Sequence, residues 1–160
     1  MKKTVAVIGG SGFVGRATVC RLAREGYRVI VLCRNSEKAK FLKPMGDVGQ
    51  INVVAGNALD ENILNNVISS ADVVVNLIGI LAESRQQTFD QLQGYLPGKI
   101  GTIAKKHCLD RVIHVSAIGA DKNSLSEYAR SKAVGEQALK KAFTESVILR
   151  PSIIFGPRDN

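Results

Sequence analysis

Tryptophan is absent from this chain, aromatic residues make up only 5% of it, and it has two histidines and three cysteines. Each scarcity removes a class of function. The net charge of +8 invites a nucleic-acid reading, but no aromatic platform on which bases could stack lies between the cations. Lys38, Lys40, Lys43, Lys105, Lys106, Lys140 and Lys141 fall on separate helical segments rather than one stripe. No nucleic-acid partner is expected. Cys20, Cys33 and Cys108 form no CxxC pair, and with only His107 and His114 beside them no zinc or haem spacing exists. The cysteines read as small core residues of a reducing compartment, and no metal site is expected. Long apolar runs are missing too: Val73–Ala82 contains Asn76 and has about half the length of a bilayer-spanning helix. Lys2 and Lys3 precede an apolar run, Val5–Ile8, that breaks at once on glycines, so neither a cleaved leader nor a mitochondrial targeting segment is expected.

What remains reads as one α/β domain. At 160 residues, 45% hydrophobic and 22% charged, the chain is long enough to bury a core without disulfides or metal. Continuous β-branched runs at Thr4–Ile8, Arg28–Cys33, Ile51–Ala55, Val73–Leu77, Arg111–Ser116 and Ser146–Leu149 predict six strands buried on both faces. Helical patterns lie near Gly12–Glu25, Ser36–Lys43, Asp60–Ser69, Pro97–His107 and Leu125–Phe143. This alternation predicts a Rossmann-like, doubly wound parallel sheet with helices on both faces. Glu83–Leu96 is polar and Gln-rich and is expected to be a loop with one helical turn. Pro97 suits the first position of the helix after it, and Ser124-Leu-Ser-Glu127 has the spacing of a capping box.

The first strand runs into Gly9-Gly10-Ser11-Gly12-Phe13-Val14-Gly15, and a helix follows. Gly9 permits a tight turn, Gly12 lets main chain come close to a pyrophosphate, and Gly15 lets helix pack on strand. The N–H groups of Phe13 and Val14 then face phosphates from a helix N-terminus, where partial positive charge gathers. With a strand before it and a helix after it, the motif predicts a dinucleotide-binding domain over residues 1–160; glycines serving only a tight turn are the plain alternative. Nineteen residues past Gly15 the second strand ends on Arg34, where a ribose-binding carboxylate is common. A carboxylate would repel a 2′-phosphate, whereas a guanidinium forks onto one and stacks on adenine. NADP(H) is therefore the preferred cofactor and NAD(H) the lesser option.

Tyr128-Ala-Arg-Ser-Lys132 sets a phenol and an ammonium one helical turn apart on the same face. An ammonium nearby should pull the phenol down toward a range useful for proton exchange with a carbonyl or alcohol. The bare spacing also recurs by chance in helices.

GxxGxxG, YxxxK and the closing Leu149-Arg-Pro-Ser-Ile-Ile-Phe-Gly156 together resemble the extended and atypical short-chain dehydrogenase/reductases. The resemblance implies that Tyr128 is the proton donor or acceptor and that Lys132 also holds the nicotinamide ribose. It implies further that main chain at Pro151, Ser152 and Ile153 contacts the nicotinamide carboxamide. Asn57 and Ala58 match the loop bordering the adenine, and Leu77, Ile78 and Gly79 the loop lying along the cofactor. In active members a Ser or Thr stands one or two positions beyond Ser116; here those positions are Ala117 and Ile118. Ser116 is left as the candidate third catalytic group, with pairing to backbone at the strand end as its plainer role.

A narrower set, Pro44–Gln50, Val74–Gly79, His114–Ser116, Tyr128–Glu136 and Phe155–Asp159, is similar to the nucleotide-binding accessory subunits of respiratory complex I and their bacterial relatives. The likeness spans Val5–Asn160 and is weakest over Glu83–Leu96. It covers only the nucleotide-binding portion of that family, whose members continue past it, so a fragment or a naturally short form is expected. The resemblance implies a subunit that holds NADPH without turning it over, with respiratory-chain subunits or an anionic membrane surface as partners. An NADPH-dependent reductase using Tyr128 and Lys132 is the alternative. A regulator sensing the NADPH/NADP ratio is a third. The expected location is cytoplasmic, peripheral to the inner membrane.

Overall fold

The structure, a computed structural model, describes residues 2–157 and 159; Arg158, quoted above within Phe155–Asp159, lies outside the described residues, as do Met1 and Asn160. Six strands, β1 (Thr4–Ile8), β2 (Arg28–Cys33), β3 (Ile51–Ala55), β4 (Val73–Asn76), β5 (Arg111–Val115) and β6 (Val147–Leu149), form one sheet in the order β3-β2-β1-β4-β5-β6. All five pairings are parallel. The β-branched runs found in the sequence are these strands; the inner strands β1, β2 and β4 are nearly continuous in buried apolar residues because both faces are covered, whereas the edge strands β3 and β6 are only partly buried.

Side chains alternate across the sheet. Ala6, Ile8, Val74 and Val112 face a core shared with Leu64, Leu96, Ile100 and Leu139 from α2 (Glu61–Ser69), α3 (Leu96–Lys106) and α4 (Glu127–Ala142). Val5, Val7, Val29 and Val31 face the other way, against Val19 and Ala23 of α1 (Phe13–Arg24) and Leu42. Strand β1 pairs with β2 on one side and β4 on the other, so the chain changes direction across the sheet between β1 and β4. In open parallel sheets the carboxyl ends of strands at such a point leave a crevice for a ligand.

Three local expectations are corrected. Ser36–Lys43 is not an α-helix: Ala39, Lys40 and Leu42 donate to carbonyls three residues back, and a 3₁₀ turn spans Lys40–Met45. Asn35 starts that tightening, since its side-chain oxygen accepts from Lys38 N–H at 3.0 Å. Helix α4 is capped by Ser126, whose hydroxyl accepts from Ala129 N–H, while Ser124 accepts from Ser126 N–H, so the Ser124–Glu127 box does not form. Glu83–Leu96 holds more structure than a loop: a π-helical turn over Asp90–Tyr95 runs directly into α3, with Leu96 N–H donating to Gln91 C=O.

Candidate functional site

The glycine turn divides into positions that pack and one that stays open. Gly9 has φ +84°, a left-handed conformation that glycine adopts without strain. Its N–H donates to Leu32 C=O at 3.0 Å, and its C=O accepts from Gly12 N–H at 3.2 Å. A Cβ on Gly15 would stand 2.5 Å from Gly9 O and 2.6 Å from Gly10 Cα, so α1 crosses the turn with backbone against backbone. Gly12 is different: its φ of −74° suits any residue, and a Cβ there would meet only Gly9 O, at 3.4 Å. It is the N-cap of α1, it offers no side-chain acceptor, and the first turn carries no acidic residue. The N–H groups of Phe13 and Val14 thus begin a helix whose positive end nothing in the side chains compensates, a fit for an anionic group such as a diphosphate.

An open cleft continues from this turn. Gly9, Ser11 and Gly12 line one wall; Leu32, Cys33 and Arg34, ending β2, line the next; Gly56, Asn57 and Ala58 follow β3, and Leu77 to Ile80 follow β4. The fold therefore gathers the turn, the exposed Arg34 and both loops named by the resemblance. Phe13 borders a neighbouring hollow with Arg16 and Cys20 instead. Pro151, Ser152 and Ile153 lie outside the cleft: Pro151 C=O accepts from Ile118 N–H at 2.9 Å, and Ile153 is 88% exposed.

Lys132 enters beneath Gly79, where a Cβ would stand 3.1 Å from its Nζ. It is buried, with Val115 C=O as its hydrogen-bond acceptor at 3.4 Å. Burial pushes its ammonium down to about 8, while the charge of Glu136 pulls it back up. Tyr128 packs edge-on against Phe89, centroids 6.0 Å apart, and Lys132 Nζ sits 5.7 Å from its ring centroid. Burial holds the phenol above its usual value, contrary to the lowering expected from the lysine. The reason is geometric: the cation faces the ring, and loss of water penalises the phenolate.

Ser116 has a buried hydroxyl with no hydrogen-bond partner among the described residues, so it does not make the backbone pairing that was its plainer role; its N–H donates to Leu149 C=O at 2.8 Å. Beside it on β5, His114 Nδ1 lies 3.1 Å from Asn76 Nδ2, which can only donate, so the proton of the neutral ring is on Nε2. Burial, aided by Lys132, holds His114 down to about 4.

Sequence reasoning missed several residues here. Gln93 is fully buried and bonds both Ile80 and Ser131. Glu136, two carboxylate oxygens on Arg150 Nε at 2.9 and 3.2 Å, supplies the charge behind Lys132. Ser11 and Cys33 lie side by side in the cleft lining. For Gln93 a signal was available: Pro97, four residues on, has no N–H for its carbonyl, and that frees the turn to widen.

A family model described as NAD(P)H-binding matches residues 9–157. The mitochondrial NADH dehydrogenase [ubiquinone] 1 alpha subcomplex subunit 9 of Mus musculus is 38% identical over 154 residues, 96% of this chain and 41% of that protein. A ceramide reductase of Caulobacter vibrioides is 31% identical over 97% of this chain and 47% of its own. Among solved structures, the Bordetella bronchiseptica enzyme WbmG in complex with NAD superposes with a TM-score of 0.79 at 18% identity, over 99% of this chain and 56% of that one. The chain thus spans about two fifths of the mouse protein's length.

Proposed function

The chain belongs to the NAD(P)H-binding family, and from that premise we propose that it holds NADPH as a structural part of an accessory component of respiratory NADH:quinone oxidoreductase. The observation that carries the cofactor reading is the uncapped, glycine-opened N-terminus of α1 facing the same cleft as Arg34. When bound, the dinucleotide would supply hydride chemistry at its nicotinamide. Phe13 and Val14 N–H groups would hold the diphosphate, Arg34 the 2′-phosphate, and Lys132 the nicotinamide-side ribose beneath Gly79. The respiratory assignment is supported by the mouse protein's name and by the 40 kDa subunit of NADH-ubiquinone oxidoreductase of Neurospora crassa, 34% identical over 98% of this chain. No helix among the described residues is long and apolar enough to cross a membrane, and the net charge of +8 suits a cytoplasmic position against an acidic inner-membrane surface. Calorimetry with both cofactors tests the reading. NADPH should bind at least about tenfold more tightly than NADH, a charge-assisted phosphate contact contributing about 1.5–3 kcal/mol. Arg34→Ala should erase the difference while leaving NADH binding in place. Absence of binding by either cofactor refutes the assignment.

Tyr128 and Lys132, one turn apart and in contact at the ring face, favour a second reading as a reductase, as does the name of the Caulobacter relative. In that reading Tyr128 would protonate a carbonyl oxygen. Ala117 and Ile118 stand where active members of the resembled family carry a Ser or Thr, and that missing hydroxyl weighs toward holding rather than turnover.

A further inference from the structure

Every strand runs the same way, so the amino ends of the strands and the carboxyl ends of α1, α3 and α4 share one face, opposite the cleft. Three carboxylates of that face are engaged within it. Asp72 accepts from Thr4 N–H at 2.7 Å, Asp110 pairs with Lys3 at 2.7 Å, and Glu25 pairs with Arg21 at 2.7 Å. Lys2, Arg24, Arg28, Lys105, Lys106 and Arg111 are exposed and have no carboxylate within 4.0 Å among the described residues. Asp47 and Glu145 are the carboxylates without an ion pair set against them, so positive charge is in surplus. The turn Asp47–Gln50, just before β3, projects from the same face. Gln50 N–H donates to Asp47 C=O at 3.0 Å and Gly49 takes φ +75°, which leaves Val48 at the corner. The Gln50 side chain fixes the turn to the end of α1: Oε1 accepts from Asp47 N–H at 2.8 Å, and Nε2 donates to Ala23 C=O at 2.7 Å and Tyr27 C=O at 3.0 Å. Val48 is fully exposed, and Tyr27 is 36% exposed. A single exposed valine needs no explanation by itself. This one is held outward by an amide that spends both N–H groups and its oxygen on the task, and its anchors Ala23 and Tyr27 adjoin Arg24 and Arg28 in the chain.

We propose that this face docks on an anionic lipid bilayer, with its cations on the headgroups, Val48 entering the interfacial layer and the cleft turned toward water. The inference deepens the membrane-side placement proposed above and rests on it. The unpaired cations reach from β2 to β5, three strand spacings or about 14 Å, so they meet a plane rather than a single ridge. Each cation close to an anionic leaflet adds attraction that fades within a Debye length. The apolar tip separates lipid from other anions: a nucleic acid offers phosphates but no apolar layer for Val48, whereas a bilayer offers both. An acidic protein is the competing occupant, and the test tells the two apart.

The chain has no tryptophan, so Val48→Trp sets one fluorophore at the tip, and Leu125→Trp, at a 99% exposed position in the loop after β5, sets one at the opposite end. The vesicles are phosphatidylcholine with about 30% phosphatidylglycerol, in about 0.05 M salt. Emission of Val48→Trp should shift to the blue and be quenched by brominated acyl chains, and that of Leu125→Trp should do neither. Vesicles of phosphatidylcholine alone should leave both unchanged. Affinity of the parent for the anionic vesicles, from co-sedimentation, should fall about fivefold for each charge removed in Arg24→Gln and Arg28→Gln. Arg85→Gln with Lys122→Gln removes the same net charge from exposed positions at the cleft end and should change affinity by less than about twofold. A parent that binds anionic vesicles while Leu125→Trp shifts and Val48→Trp does not overturns this face and leaves the membrane placement standing. So does an equal loss in the two pairs of charge variants. A parent that ignores anionic vesicles ends the placement and the face together, and calorimetry with NADPH still decides the cofactor reading. Binding to polyglutamate as tight as to vesicles, with Val48→Trp unshifted on lipid, makes the occupant an acidic protein and overturns the bilayer.

Discussion

Gly12→Ser separates folding from binding, because its effects on the two have opposite signs. Position 12 has ordinary backbone angles and room for a Cβ, so serine fits without strain. Serine is also the better N-cap: its hydroxyl can accept from the first turn of α1, where the glycine offers nothing, for a gain of a few tenths of a kcal/mol or about 1 °C. The same hydroxyl and methylene then occupy the space and the amides that a diphosphate would use. At a hundredfold excess over its dissociation constant NADPH should stabilise the parent by about 2.7 kcal/mol, or about 5–11 °C in a domain of this size. Differential scanning fluorimetry with and without NADPH reads both numbers. The variant should melt level with or slightly above the parent when free, and its NADPH shift should be lost. A Gly12→Ser protein that keeps the full shift would refute the claim that main-chain amides at this turn hold the diphosphate. One that is strongly destabilised when free would refute the reading of position 12 as open.

Lys132→Met should stabilise the nucleotide-free protein at pH 7 by about 1–3 kcal/mol in urea denaturation while abolishing the NADPH shift, since it removes a buried charge held down to about 8. In the parent the unfolded lysine keeps its proton to higher pH than the folded one, so stability should rise between about pH 8 and 10.5, a rise the variant lacks. His114, held down to about 4, acts at the acid end. The unfolded imidazole takes its proton first as pH falls below 6.5, so about 3 kcal/mol of stability should drain away between pH 6.5 and about 4. A His114→Gln variant whose acid limb matches the parent's would contradict this. Tyr128→Phe should leave the NADPH shift intact, and against a panel of carbonyl substrates, using a protein that includes any further substrate-side portion, it should abolish whatever reductase activity the parent has. Equal rates in parent and variant would end the reductase reading.

Period and punctuation alone determined the sheet, the glycine turn and Arg34's place beside it. Strands buried on both faces must be continuous in β-branched residues, and a turn between strand and helix that carries main chain close to an anion must be glycine-rich. The helical spacing of Tyr128 and Lys132 was equally legible, because one turn of helix is a local geometry. What depended on the environment was not legible. Whether a nearby ammonium lowers a phenol is decided by how much water each has lost and by which side of the ring the charge faces, and here burial of Tyr128 prevailed. Whether the Ser116 hydroxyl finds a partner is decided by the packing around the strand end it follows, and there it finds none among the described residues. Gln93 stood in a polar, aperiodic stretch and looked like loop, yet it is fully buried. Its partners, Ile80 and Ser131, lie 13 and 38 residues away, a separation that only the packing of α3, α4 and the β4 loop could close. Local backbone preference wrote the frame of the site; desolvation and long-range contact chose the protonation, the reach and the partners of the groups within it.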